Sequence, residues 1–96
     1  MAYYFKRKWD EPRGDEYDAW GCSLWLIETD DEFWPTRHVE IYDDGQVLFY
    51  ARDHLNDSYG GLGDQALEIQ EFDAFRISRE EFEHEWSTRK PLNWAK

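Results

Sequence analysis

The sequence has few of the residues that build cross-links and metal sites. Its 96 residues include one cysteine, Cys22, so neither an internal disulfide nor a cysteine-rich metal site can form. No two histidines have the spacing of a metal-ligand pair: they are His38, His54 and His84. We therefore predict no metal and no cofactor. A metal ion near His54, between Asp53 and Asp57, is the one alternative left open.

Long apolar runs are also missing. No segment has the roughly 20 apolar residues of a membrane-spanning helix. The first nine residues, MAYYFKRKW, lack the apolar core of a signal peptide. We expect a cytoplasmic protein with no membrane contact.

Positive charge is scarce, with 11 Lys and Arg against 22 Asp and Glu and a net charge of −11. All the acids lie in residues 10–85, together with five of the bases. Such a body repels phosphate backbones and anionic lipids, which disfavours direct nucleic-acid binding, and we predict none. It attracts a basic protein and speeds its docking. The alternative is that the acidity only keeps the protein soluble.

Aromatic residues are abundant, with six each of Trp, Tyr and Phe. At 41% hydrophobic residues the chain can fold despite its charge, and its length suits a single domain over 1–96. Pro91 and the polar residues around it predict a frayed tail over about 88–96.

Four segments read as strands. Residues 3–9 alternate apolar and polar, and residues 20–29 are apolar on both faces. Residues 36–43 and 46–51 flank Asp44-Gly45, a strong hairpin signature. A three-residue loop at 43–45, with Gly45 left-handed, pairs Ile41 with Val47 and Val39 with Phe49. These patterns predict a four-stranded antiparallel meander.

A single helix is predicted at the C-terminal end. Ser78 and Glu81 form a capping box, and Ile77 and Phe82 form a hydrophobic staple. Phe82 and Trp86 give the helix its apolar stripe. The sequence predicts a glycine-rich loop over 52–66 and an irregular or briefly extended segment over 67–77. The expected fold class is therefore α+β, with the sheet covered on one face by this helix.

The meander predicts a binding surface at one end of the sheet. The loop 30–35 and the segment 53–64 both belong to that end, where clustered acids meet aromatic side chains. The candidate partner-binding residues are Asp30, Asp31, Glu32, Phe33, Trp34, Asp53, Asp57, Tyr59 and Asp64. In the competing interpretation, Trp34 and Tyr59 only close the end of the core. The helix acids Glu80 and Glu83 form the rival surface.

No catalytic pattern stands out. There is no nucleophile elbow, and the glycines at 60, 61 and 63 lack the following Lys-Ser/Thr of a phosphate loop. The only set worth testing for catalysis is His54 with Asp53 and Asp57. We predict that the protein is not an enzyme.

One stretch of the chain resembles a known family. The residues are 36–45 (TRHVEIYDDG), Val47, Tyr50, 57–62 (DSYGGL), 77–83 (ISREEFE) and Trp86. In this order, across 23–86, they resemble a family of small, free-standing, uncharacterised bacterial domains. The resemblance implies a bacterial cytoplasmic origin and supplies no catalytic residues.

By size and charge alone, the chain is also similar to immunity proteins of bacterial toxin systems. The function we expect is a protein-binding inhibitor of a basic toxin or nuclease. The alternatives are a nucleic-acid mimic and an accessory domain whose acidity serves solubility.

Overall fold

A computed structural model describes residues 2–94, and four strands form its main antiparallel sheet. They are β1 (Tyr3–Trp9), β2 (Ser23–Thr29), β3 (Pro35–Tyr42) and β4 (Val47–Ala51), hydrogen-bonded in chain order. Two further strands, β5 (Asn56–Asp57) and β6 (Gly60–Gly61), pair as a small hairpin. The helices are α1 (Ile69–Phe72) and α2 (Arg79–Thr88), and short 3-10 turns occupy Asp18–Trp20 and Asp73–Phe75. The predicted α+β meander is confirmed.

The β3–β4 hairpin has the predicted register. Val39 pairs with Phe49 and Ile41 with Val47. Gly45 has φ 96°, and its N–H donates to the Tyr42 carbonyl at 2.9 Å. A left-handed residue closes this three-residue loop because its backbone turn matches the twist of the strands.

Helix α2 covers one face of the sheet, which we call the helix face. The N–H of Glu81 donates to the Ser78 hydroxyl at 3.1 Å, so the predicted N-cap is confirmed. Phe82 is fully buried against Leu26, Val39 and Phe49. The Trp86 ring stacks on Phe49 with centroids 4.4 Å apart.

The opposite face, which we call the loop face, is covered as well. We expected one apolar face, but Leu48 and Tyr50 are fully buried here with Tyr42. Over β3 and β4 the cover is the β5–β6 hairpin, part of the expected loop 52–66, together with the region around Trp20. Over β1 and β2, Phe72 of α1 packs on Phe5 and Ile27. Since β3 and β4 carry large side chains at alternate positions, both faces need a cover.

The tail differs from the predicted frayed segment. The Leu92 N–H donates to the Val47 carbonyl at 2.8 Å. The Asn93 side chain accepts a hydrogen bond from the Phe49 N–H and donates one to the Phe49 carbonyl, both at 2.9 Å. Trp94 packs on Trp86 and Phe49. The tail therefore covers the edge of β4, which would otherwise present ladder groups to solvent. Residues 95 and 96 lie outside the described residues.

Candidate functional site

The turn between β2 and β3 sends two neighbouring aromatic rings in opposite directions. Phe33 has φ 67°, an uncommon conformation for a bulky residue. Its ring packs inside, 5.0 Å from the Tyr3 ring centroid, within a cluster that includes Phe5. The next residue, Trp34, is 44% exposed. Of the two predicted anchors in this turn, only Trp34 is on the surface.

Asp30 holds this turn in place. Its Oδ1 accepts hydrogen bonds from the N–H groups of Glu32 and Trp34, both at 3.0 Å. Its Oδ2 lies 3.3 Å from an Arg52 nitrogen. The hydrogen bond from Trp34 is the main cause of a pKa below the ordinary value for Asp30. Asp30 is therefore a structural residue of the site, and its replacement would disturb the position of Trp34.

Trp34 forms one wall of an open cleft, which we call the Trp34 cleft. Leu55, 54% exposed, stands in the same cleft, whose volume is about 480 Å³. Its other lining residues are Asp30, Pro35, Arg52, Asn56, Leu62, Asp64 and the glycines at 60, 61 and 63. Trp34 and Leu55 are two of the four exposed large apolar side chains in residues 2–94. Their meeting in one cleft makes it an apolar anchor site.

Three exposed carboxylates belong to the same region, and a fourth lies outside the Trp34 cleft. Asp31 and Glu32 lie in the turn, and Asp64 lines the cleft. Asp53 is exposed in a separate pocket with His54, Asn93 and Trp94. Within residues 2–94 none of these four acids forms an ion pair. Their charge therefore remains available to a partner.

Asp57, another predicted site residue, is bonded inside the fold. Its Oδ1 accepts from the Tyr50 hydroxyl and the Tyr59 N–H, both at 2.9 Å. Its Oδ2 accepts from Asn93 at 2.8 Å and lies 2.9 Å from His54 Nε2. Burial alone would raise the pKa of Asp57, but these hydrogen bonds lower it to about 2. Asp57 joins β4, the β5–β6 hairpin and the tail.

Tyr59 lies elsewhere than expected. Its ring packs on Tyr17 and Trp20, with centroids 5.3 and 5.8 Å apart, and its carbonyl accepts from Arg13. In the predicted meander, the loop 10–18 joins the first two strands and therefore lies at the opposite end of the sheet from the segment 53–64, which carries Tyr59. The β5–β6 hairpin instead folds back across the loop face and brings the two together. Tyr59 is therefore not part of the Trp34 cleft.

A buried polar chain on the loop face was not predicted. His38, Glu40 and Tyr42 alternate on β3 and are 3–5% exposed. Glu40 accepts from the Tyr42 hydroxyl and lies 3.1 Å from His38 Nε2, while Arg13 donates to the Tyr42 oxygen at 3.1 Å. The alternation of His38, Glu40 and Tyr42 was visible in the sequence. Their burial was not, because the covering segments lack a periodic pattern.

The environment decides the protonation of this chain. Burial would raise the pKa of Glu40, but the contacts with His38 and Tyr42 outweigh burial and lower it. Burial and the neighbouring Glu40 carboxylate raise the pKa of Tyr42. The chain therefore holds an ionised carboxylate beside a neutral phenol.

In the described part of the chain, no group of three or more His, Cys, Asp or Glu side chains is placed to hold a metal ion. No helix there is long and apolar enough to span a membrane. Comparison with family models, curated proteins and solved structures finds no match to this chain.

Proposed function

We propose that this protein is a small acidic protein-binding module of the immunity type, which neutralises a basic bacterial toxin or nuclease in the cytoplasm by occluding it. One observation carries the proposal. Two of the four exposed large apolar side chains in residues 2–94 meet in the Trp34 cleft, beside acids that form no ion pair there. Apolar anchors beside uncompensated charge are typical of protein interfaces.

The two parts of this surface have different roles in binding. Asp31, Glu32, Asp53 and Asp64 attract a basic partner from a distance and raise the association rate. Trp34 and Leu55 are held by the turn and the hairpin, and they bury apolar area once the partner has docked. Loss of a buried anchor acts mainly on dissociation.

Catalysis has less support than binding. His54, the base of the only candidate set, is bonded to Asp57, whose oxygens already hold Tyr50, Tyr59 and Asn93. A carboxylate with this many structural partners favours a structural role for the pair. A nucleic-acid mimic would use the same acids against the same class of basic partner and is a variant of this proposal.

The test begins with the protein as bait in a lysate of a bacterium that carries its gene, with wild type and Trp34→Ala compared. The captured protein is then purified, and its binding rates are measured by surface plasmon resonance. We expect Trp34→Ala to raise the dissociation rate about tenfold or more, at nearly unchanged association rate. Circular dichroism must first show that Trp34→Ala is folded.

A charge-matched pair of variants separates local from overall electrostatics. Asp31→Asn with Glu32→Gln removes two charges beside Trp34, and Asp10→Asn with Glu80→Gln removes two exposed charges elsewhere. The first pair should slow association and flatten its salt dependence more than the second. Equal effects from the two pairs would move the site away from the turn. If no basic partner is captured, the proposed function fails and solubility remains the role of the acidity.

A further inference from the structure

A second cleft lies on the loop face, between the loop after β1 and the β5–β6 hairpin. We call it the Trp25 cleft. Trp9, Trp25, Tyr42 and Tyr59 line it, its volume is about 390 Å³, and Glu40 is among its other lining residues. It shares only Gly60 and Gly61 with the Trp34 cleft. One partner could therefore reach both clefts across the glycine hairpin.

The charges around this cleft do not balance. Its charged lining residues are the carboxylates of Glu11, Asp15 and Glu40 and the guanidinium of Arg13. Arg13 is paired with Asp15 at 3.0 Å and also donates to the Tyr42 hydroxyl and the Tyr59 carbonyl. Among residues 2–94 Glu11 forms no ion pair, and the base in contact with Glu40 is His38, which lies 3.1 Å away and is not part of the cleft lining. The lining itself holds three carboxylates and one guanidinium. The cleft therefore favours a cation.

Glu40 has capacity for one more donor on each oxygen. A carboxylate oxygen offers about two acceptor positions. Oε1 accepts from the Tyr42 hydroxyl, and Oε2 is 3.1 Å from His38 Nε2. Because Glu40 is only 5% exposed, a donor that reaches it leaves water behind. A charge-assisted hydrogen bond is stronger in such a place than at the surface.

The same fold already uses guanidinium groups in sites of this composition. Arg37 pairs with Glu28 at 2.6 Å while its guanidinium carbon lies 4.9 Å from the Phe82 and Trp86 ring centroids. Arg7 lies 3.1 Å from Glu71 and 4.7 Å from the Trp9 centroid. In each case an aromatic ring and a carboxylate hold one guanidinium.

We propose that the Trp25 cleft binds a guanidinium group, supplied by an arginine side chain of the partner. That a partner protein supplies the arginine rests on the proposed function. That the cleft binds a guanidinium group does not. Arginine is favoured over lysine because its planar, weakly hydrated head stacks on aromatic rings and donates in two directions.

The experiment uses the whole protein and a small probe, so it needs no partner. Nα-acetyl-arginine amide is titrated into the ¹⁵N-labelled protein, and the indole N–H and glycine N–H signals are followed by NMR. We expect saturable shifts at Trp9, Trp25, Gly60 and Gly61, and little change at the indole of Trp34. The lysine analogue should bind several-fold more weakly, and the leucine analogue should give no saturable shifts.

Variants identify the groups that bind the probe. Glu40→Gln should weaken arginine binding about tenfold, while Trp34→Ala should leave it unchanged. Because Glu40 is buried, its variant must first be shown to be folded. Glu11→Gln and Trp9→Leu provide the same test nearer the surface, and each should weaken binding several-fold.

Any of three results would contradict arginine binding in the Trp25 cleft. The leucine analogue could give equal shifts, or folded Glu40→Gln and Trp9→Leu could bind arginine with wild-type affinity. The third is that the shifts spread over the whole acidic surface. The two proposals fail separately. Arginine binding without any basic partner contradicts only the proposed function. Capture of a basic partner whose affinity depends on Trp34, without arginine binding, contradicts only the Trp25 cleft.

Discussion

At the residue scale, the bases of this acidic chain are largely used inside the fold. Arg37 joins β3 to β2 through Glu28 and to α2 through Glu83, and it lies over two rings of α2. The hydrogen bond to Glu28 is the main reason why the pKa of Arg37 is raised. Arg76 lies over Tyr3 and Phe5 in the same manner. With its bases engaged in such contacts, the protein presents a surface on which acids dominate.

Asp57 makes stability depend on pH in acid. Its folded pKa of about 2 is below the ordinary 3.8, so it stabilises the fold above pH 3.8 and loses that contribution as the pH falls through 2. The shift corresponds to about 2 kcal/mol. Between pH 5 and pH 2, the free energy of unfolding measured in urea should fall by about 2 kcal/mol less in Asp57→Asn than in wild type. Asp31→Asn, an exposed acid without ion pairs, is the control, and an equal difference there would contradict this role for Asp57.

Substitution of Gly45 should destabilise the protein only through the conformation of its backbone. Its φ is 96°, and a Cβ built there meets nothing within 4 Å. Gly45→Val should therefore lower the free energy of unfolding by about 1 kcal/mol or more, because a β-branched residue disfavours this conformation. Gly45→Asn should lose less, since asparagine tolerates left-handed φ. Equal losses in urea denaturation would point to a cause other than φ.

At the element scale, the tail acts as a cover for β4. Asn93→Ala removes two bonds to the Phe49 backbone and one to Asp57, and we expect a loss of about 2 kcal/mol in urea unfolding. Lys90→Ala, an exposed position in the same tail, should be close to neutral. If Asn93→Ala leaves the free energy of unfolding unchanged, the tail does not stabilise β4, and the prediction of a frayed tail would stand.

Strands and helices with a periodic or capping pattern in their own sequence were predictable. Segments that one side chain fixes through a contact distant in sequence were not. Alternation and the Asp44-Gly45 turn were enough for the four strands and their register, and the capping box was enough for α2. The β5–β6 hairpin and the tail depend on Asp57 and Asn93, whose partners are distant in sequence. No periodicity marks such contacts.

The candidate site was predictable to the same extent. Asp30 and Asp64 line one cleft with Trp34, and the predicted meander had placed all three at the same end of the sheet. It could not foresee that Phe33 turns inward or that the hairpin carries Tyr59 to the loop 10–18. The Trp25 cleft depends on that same hairpin, so the sequence alone offered no route to it.

At the scale of the whole molecule, one sheet supports two packed layers. Phe49 and Val39 point to the helix face, while Tyr50 and His38, their neighbours in the chain, point to the loop face. Each strand therefore contributes to both layers, and neither layer can lose its packing without releasing strands that the other needs. This arrangement favours a single cooperative transition over stepwise loss of the two covers.

The prediction is that reporters on the two faces unfold together. The indole N–H signals of Trp25, on the loop face, and Trp86, on the helix face, should vanish from NMR spectra at the same urea midpoint, which should also match circular dichroism. Asn93→Ala should shift all three midpoints equally, because the tail reaches Trp86 through Trp94 and the loop face through Asp57. An earlier midpoint for Trp25 alone would mean that the loop 10–18 and the β5–β6 hairpin open as a separate unit. The Trp25 cleft would then be exposed to opening in the native state.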